Sequence, residues 1–235
     1  MEKDIDIIIY GATGFTGKLC VKYFQSLDTT VTWAMAGRNL TKLKKVAEDN
    51  QTKVEILIAD SDDESALDDL TARAKVILST TGPFHRYGSK LVASCIKNHA
   101  HYVDITGENF WVKGLIEKHH AEALAKGIRI IPSCGFDSIP SDLGTFFSAK
   151  AIGKPIKRIE SFHSYKGGAS GGTLETMFSM GELDLGDDLT DPFLLNPNDS
   201  YSNEQKQLSG DRVGIAKKPE IKAWSGPFIM ATANT

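Results

Sequence analysis

One stretch constrains the fold more than any other: Ile5-Asp6-Ile7-Ile8-Ile9-Tyr10 runs without a break into Gly11-Ala12-Thr13-Gly14-Phe15-Thr16-Gly17. A β-branched, almost wholly apolar run is what a strand buried on both faces of a parallel sheet requires. After the glycines, Leu19, Val21, Tyr23, Phe24 and Leu27 recur at a loose helical spacing, so the order is strand, glycine turn, helix. Glycine triplets alone are weak signals, because any sterically tight turn can demand them.

The unit repeats, and repetition gives the turn its meaning. Further strands are predicted at 31–36, 54–59, 76–80, 101–104 and 128–132, and helices at 15–27, 41–50, 64–74, 89–98 and 110–126. This alternation predicts an α/β fold, a Rossmann-type doubly wound parallel sheet, with right-handed crossovers that set every strand's carboxyl end on one ligand-binding edge. Residues 1–152 are expected to form that dinucleotide-binding domain. Beyond Gly153 the rhythm changes. A longer strand is predicted at 156–165, a glycine-rich loop at 167–172, a helix at 173–185, a polar surface excursion at 186–226, and an apolar stretch again at 227–231. Residues 153–235 are therefore read as the start of an α+β substrate or dimerisation domain whose core is incomplete.

In such a fold each glycine has its own task. Gly11 makes the tight turn, Gly14 lets backbone approach a pyrophosphate, and Gly17 lets the helix lie close on the strand. Thr13, Phe15 and Thr16 complete the turn, and the helix N-terminus offers unpaired N–H groups to phosphate. An NAD-selective site places a carboxylate at the end of the second strand, roughly 20 residues on. Here Gly37-Arg38-Asn39 stands in that place. A guanidinium binds a 2′-phosphate bidentately where a carboxylate would repel it, so the expected cofactor is NADP, as NADPH. Asp60 and Ser61, at the end of the third strand, are candidates to border the adenine; the alternative is that Ser61 or Asp62 caps the next helix. Thr81, Gly82 and Pro83 follow the fourth strand and are expected to face the middle of the cofactor; the alternative is a plain loop turn.

Composition excludes more than it selects. A chain of 235 residues with 41% hydrophobic and 24% charged residues is an ordinary globular one, and a net charge of −3 gives no long-range pull toward nucleic acid. No run reaches the length of a membrane span. The three cysteines, Cys20, Cys95 and Cys134, show no paired spacing, which points to a reducing, cytoplasmic setting. His99, His101, His119 and His120 lack the spacing of a metal site and read as solvated surface, so no metal is expected.

Hydride chemistry on a carbonyl or imine needs a proton donor beside the cofactor. No tyrosine of this chain has a lysine four residues later, which removes the short-chain dehydrogenase arrangement. The candidates near the carboxyl edge are His85, Arg86 and Tyr87, then Asp104 and Glu108, then Asp137 and Ser138. Of these, Tyr87, Asp137 and Ser138 are taken as the catalytic set, although Asp137 to Ser141 also reads as a turn capping a helix. Phe162, Met177 and Phe178 could line an apolar pocket or pack the second unit's core.

The chain resembles the saccharopine dehydrogenase-like oxidoreductases, a family that includes trans-acting enoyl reductases. The likeness rests on Tyr10 to Gly17, Ala36-Gly37-Arg38, Thr81 to Phe84 with Tyr87-Gly88, Tyr102 to Glu108, Cys134 to Gly144, and Ser170 to Thr173. It implies a Rossmann domain followed by a mixed sheet that shapes the substrate pocket, an NADPH-type cofactor, and in some relatives association with lipid surfaces. Members of the family are typically much longer than this chain. The expected function is that of an NADPH-dependent reductase acting on a small, lipidic or otherwise apolar substrate, with a homo-oligomer left open. Two rivals stand beside it: a non-catalytic NADPH-binding sensor or scaffold, and a saccharopine-type amino-acid reductase.

Overall fold

A computed structural model describes residues 3–226 apart from 158, 165, 169, 190, 198–200 and 210–213. The apolar stretch 227–231 lies outside the described residues. Strands and helices alternate as β1 (Ile5–Tyr10), α1 (Phe15–Ser26), β2 (Trp33–Gly37), α2 (Leu40–Asp49), β3 (Glu55–Ile58), α3 (Glu64–Arg73) and β4 (Ala74–Ser79). They continue through α4 (Phe84–Tyr87), α5 (Ser89–Lys97), β5 (His101–Asp104), α6 (Asn109–Ala125), β6 (Ile130–Ile131) and α7 (Ile139–Ile152). Every pairing in this sheet is parallel, in the order β3-β2-β1-β4-β5-β6. That is the doubly wound order, and it places the crevice for a ligand where β1 and β4 part company.

β1 is buried on both faces because its residues alternate between two cores. Ile8 and Tyr10 join Ala34, Ile77, Leu91, Tyr102 and Trp111 on one side, while Ile9 joins Met35, Val21, Leu43 and Val46 on the other. α2 and α3 begin where a side chain satisfies a free N–H group. Asn39 accepts from the Lys42 amide at 2.9 Å, and Asp63 accepts from the Ala66 amide at 3.0 Å. The cap of α3 is thus Asp63 rather than Ser61 or Asp62, since the turn at Asp60 uses up one more residue before the helix starts. The four-residue α4 is a helical turn that sequence periodicity is too short to reveal.

After Gly153 come α8 (Gly171–Gly181), a 3₁₀ turn (Gly186–Leu189), α9 (Asn203–Ser209) and an antiparallel pair, β7 (Ala216–Lys218) with β8 (Ala223–Ser225). The described residues of the predicted strand at 156–165 form no ladder. A strand needs a neighbour for its N–H and C=O groups, and β7 pairs with β8. It only approaches this segment through side chains, Lys218 standing 3.8 Å from Glu160 and 5.7 Å from the Phe162 ring centroid. Nor do these large apolar side chains of α7 and the residues after it fill a core: Phe146, Phe147, Met177 and Phe178 are 55%, 59%, 64% and 75% exposed, and Phe162 is 36% exposed. His119 is buried, contrary to its surface reading, because the α6 face that carries it packs toward β6.

Candidate functional site

The glycine turn closes against the loop that follows β4. Gly11 takes a left-handed φ of +86°, and a side chain there would run into the hydroxyls of Thr81 and Thr80, the latter 2.9 Å from where its Cβ would lie. Gly17 is held just as tightly: a Cβ would collide with the Gly11 carbonyl and stand 2.8 Å from Ala12 Cα. Gly14 differs. It is exposed at the N-cap of α1, and a Cβ would meet only the Gly11 carbonyl oxygen at 3.4 Å. Two of the three glycines are therefore demanded by the protein's own packing, whereas the open side of Gly14 faces away from it, as backbone that receives a phosphate must.

Beside this turn the Thr81 hydroxyl is buried and has no hydrogen-bond partner among the described residues. Such a group is costly to leave unsatisfied, and it fits a ligand lying across Gly11. Thr13 and Thr16 are half-buried in the turn, and Phe15 is 70% exposed at its lip. Gly82 and Pro83 lead from Thr81 into α4, with Thr176 of α8 3.7 Å from the position a Gly82 Cβ would take.

At the end of β2, Arg38 is exposed and enters no salt bridge among the described residues. It is near enough to Tyr10 for its charge to act on the phenol, which burial pushes well above its ordinary range. Asp60 accepts from the Asp62 amide at 3.1 Å, forming the turn that ends β3. Ser61 is buried and hydrogen-bonded to Tyr10, so it ties the β1 and β3 ends together.

The carboxyl ends of β4 and β5 hold two buried carboxylates. Asp104 accepts from the Tyr102 hydroxyl at 2.8 Å and from the Thr106 and Ser133 amides at 3.0 and 2.9 Å. Burial nevertheless holds its carboxyl above the usual range, at about 6. Glu108, fully buried, accepts from the Phe84 and His85 amides at 2.7 Å each and meets His85 Nδ1 at 2.6 Å. Sequence reasoning had both carboxylates as groups that could polarise a substrate; the structure uses their oxygens to fasten loops. The signal available was their place after a short strand in a Thr-Gly turn, which does not say which way a side chain points.

Tyr87 stands on α4, while Asp137 and buried Ser138 form the turn into α7, two strands away along the same edge. No hydrogen bond joins Tyr87 to either of them among the described residues. Burial raises the Asp137 carboxyl. Arg86 is paired with Glu182 at 2.9 Å, across a recess of about 360 Å³ that Leu174 and Phe178 of α8 also line. A second, more apolar groove of about 300 Å³ lies between α6 and β6, lined by Leu115, Ile116, His119 and Ile131. None of the glycine-turn residues touches it. Among the described residues no helix is long and apolar enough to cross a membrane, and no three His, Cys, Asp or Glu side chains group as metal ligands would.

Comparison with known proteins gives this geometry its family. The saccharopine dehydrogenase NADP binding domain matches residues 7–131, the stretch that carries β1 through β6. A Mycobacterium tuberculosis protein that bears the provisional name of trans-acting enoyl reductase is 36% identical over 250 aligned positions, covering 99% of this chain and 59% of that protein. The trans-acting enoyl reductase of Mycobacterium leprae is 33% identical, covering 100% of this chain and 60% of its own length. The chain thus spans about three-fifths of the length of the curated relatives it matches. Among solved structures, apo saccharopine dehydrogenase (L-Glu forming) from Saccharomyces cerevisiae aligns with a TM-score of 0.54 at 19% identity, over 63% of this chain and 31% of that one, a likeness of fold alone. With the family's domain matched across the whole sheet, the chain belongs to the saccharopine dehydrogenase-like family of NADP-linked oxidoreductases, and NADP(H) is its cofactor.

Proposed function

We propose that this protein is an NADPH-dependent reductase acting on an apolar, lipid-like substrate, an enoyl compound in the first instance. The observation that carries the reading is the similarity to trans-acting enoyl reductases along the whole chain, at 33–36% identity. In this reading Gly11, Thr13, Gly14, Phe15, Thr16 and Gly17 hold the pyrophosphate, Arg38 the 2′-phosphate, Asp60 and Ser61 the adenine side, and Thr81, Gly82 and Pro83 the middle of the cofactor. When bound, the reduced nicotinamide supplies a hydride. Residues 1–152 form the cofactor domain and 153–235 belong to the substrate domain, with Tyr87, Asp137 and Ser138 on the substrate side of the edge. The exposed Phe146, Phe147, Met177 and Phe178 support an apolar substrate, peripheral contact with lipid, or a second copy of the chain. A cytoplasmic location accords with the three free cysteines.

An amino-acid reductase would need free cations for its substrate's carboxylates, and Arg86 is already paired with Glu182. The experiment is incubation of the protein with NADPH and a panel of 2-enoyl thioesters, ketones and imines, followed by the loss of NADPH absorbance. Consumption with the enoyl thioesters alone is the expected result. Binding without consumption across the panel makes the protein a sensor, and consumption with an imine alone moves it to the amino-acid reductases.

A further inference from the structure

We propose that His85, oriented by Glu108, meets the substrate through Nε2 and is the proton donor of the reduction; this rests on the reductase reading above. Three donors converge on the Glu108 carboxylate, the amides of Phe84 and His85 and the ring Nδ1 of His85, at 2.7, 2.7 and 2.6 Å. A carboxylate that accepts from two amides is an acceptor toward the ring as well, so Nδ1 carries a proton in the neutral ring and in the imidazolium alike, and Nε2 is the nitrogen that gains and loses one. The ring is further held against Phe110, centroid to centroid at 5.6 Å. Nε2 is left without a protein partner among the described residues, on a side chain that keeps 14% of its surface open. A buried carboxylate that fixes an imidazole and leaves its far nitrogen free is the arrangement that general acid–base catalysis uses.

Position supports the same role. α4 follows directly on Thr81, Gly82 and Pro83, so His85, in its first turn, stands just beyond the loop that closes on Gly11 and, in the chain, between β4 and β5. Three charged groups of this corner are engaged: Asp104 by three donors, Glu108 by three, and Arg86 by Glu182.

The step balances with a reduced nicotinamide as reductant. A 2-enoyl thioester gains a hydride at its β-carbon and the π pair moves onto the α-carbon. The donor is the imidazolium, with a proton on each ring nitrogen: Nδ1 keeps its own on Glu108, and the α-carbon pair forms the new C–H bond with the proton of Nε2, whose N–H pair stays on the ring as neutral imidazole until a proton from solvent restores the cation.

The test uses His85→Asn, whose side-chain amide can occupy the place of Nδ1 and keep the bond to Glu108 while removing Nε2. The probe is trans-2-decenoyl-pantetheine. In the NADP⁺-loaded wild type, the ring-nitrogen NMR signal of His85 Nε2 is expected to shift when this thioester is added, with Nδ1 still protonated. His85→Asn is expected to keep its NADPH affinity and melting temperature and to lose on the order of 10²- to 10⁴-fold in NADPH oxidation with the thioester. An Nε2 signal that does not move overturns the proposal whatever the turnover. So does a His85→Asn variant as fast as an active wild type, while the reductase reading survives. A wild type that consumes no NADPH with this or any other 2-enoyl thioester overturns the reductase reading and proton donation with it, and the Nε2 signal then decides alone whether the imidazole faces the thioester.

Discussion

The Tyr102 hydroxyl donates to the Asp104 carboxylate at 2.8 Å, and both side chains are almost wholly buried, two residues apart at the end of β5. Asp104 thereby links its own strand to the loop after β6, through Ser133 and through the Cys134 amide on its carbonyl at 2.7 Å. Its carboxyl sits at about 6 in the folded protein, against an ordinary 3.8, because burial disfavours the charge more than its hydrogen bonds restore it. The sign follows. Well below pH 3.8 the group is protonated folded or unfolded. As pH rises toward about 6 the unfolded chain releases the proton first, so this group's contribution to stability falls, by about 3 kcal/mol over the interval, and then levels off.

Asp104→Asn should remove that slope. Its Oδ1 can keep the Thr106 and Ser133 amides, both of which bond the same carboxylate oxygen, while its amide donates to the Tyr102 oxygen. Urea unfolding of the two proteins from pH 4 to 8 is the measurement. The variant is expected to gain on the wild type steadily up to about pH 6 and then to hold a constant advantage; parallel curves mean that Asp104 is not the group.

Glu108→Gln should be costly in the way Asp104→Asn is not. All the carboxylate oxygens of Glu108 accept, so an amide NH₂ must face an N–H donor in a site with no solvent. The loss is expected at about 2–3 kcal/mol, the desolvation penalty of a buried group left unpaired. Thermal unfolding checks it. A shift of the melting temperature by less than a degree would mean that the α4 turn reorganises around the new amide.

The sheet was readable because each of its signals is local. β-branched runs, helical spacing and punctuating glycines placed the six strands and their helices within a few residues, and the caps at Asn39 and Asp63 moved boundaries only slightly. The glycine turn was readable for the same reason, since Gly11 and Gly17 answer to steric needs that arise within that single βα unit and the loop beside it. What was not readable is contact between distant segments. Nothing at Glu108 announces that it will reach back to His85, and the run from Ile156 resembles a strand because the pattern cannot report whether a partner strand is there to receive it.

The glycines should separate folding from binding. Gly17→Ala sets a methyl against the Gly11 carbonyl and Ala12 Cα, so it is expected to destabilise the domain by about 1–3 kcal/mol, as overpacking does. Gly14→Val has an extended backbone of φ −71° and ψ 171° and open space before it, so it should fold normally and fail to bind NADPH. Circular dichroism melts and cofactor fluorescence titrations on both variants are sufficient. A folded Gly14→Val protein with undiminished affinity would reduce the turn to a packing device.

Cofactor choice is the sharpest consequence of the site. Arg38 ends β2 exposed and without an ion-pair partner among the described residues, beside the crevice that the glycine turn opens. NADPH differs from NADH by the phosphate such a guanidinium can bind through two N–H groups. A charge-assisted hydrogen bond contributes about 1.5–3 kcal/mol, so the preference for NADPH should be on the order of 10- to 150-fold. Arg38→Ala should remove most of it and leave NADH affinity nearly unchanged, because the guanidinium enters no salt bridge among the described residues. Added salt should erode the preference in the wild type by screening an exposed pair, and should do little to the variant. Titration of both cofactors against both proteins at two salt concentrations decides it. Equal binding of NADPH and NADH by the wild type, or a preference that survives in the variant, would place 2′-phosphate recognition on another residue.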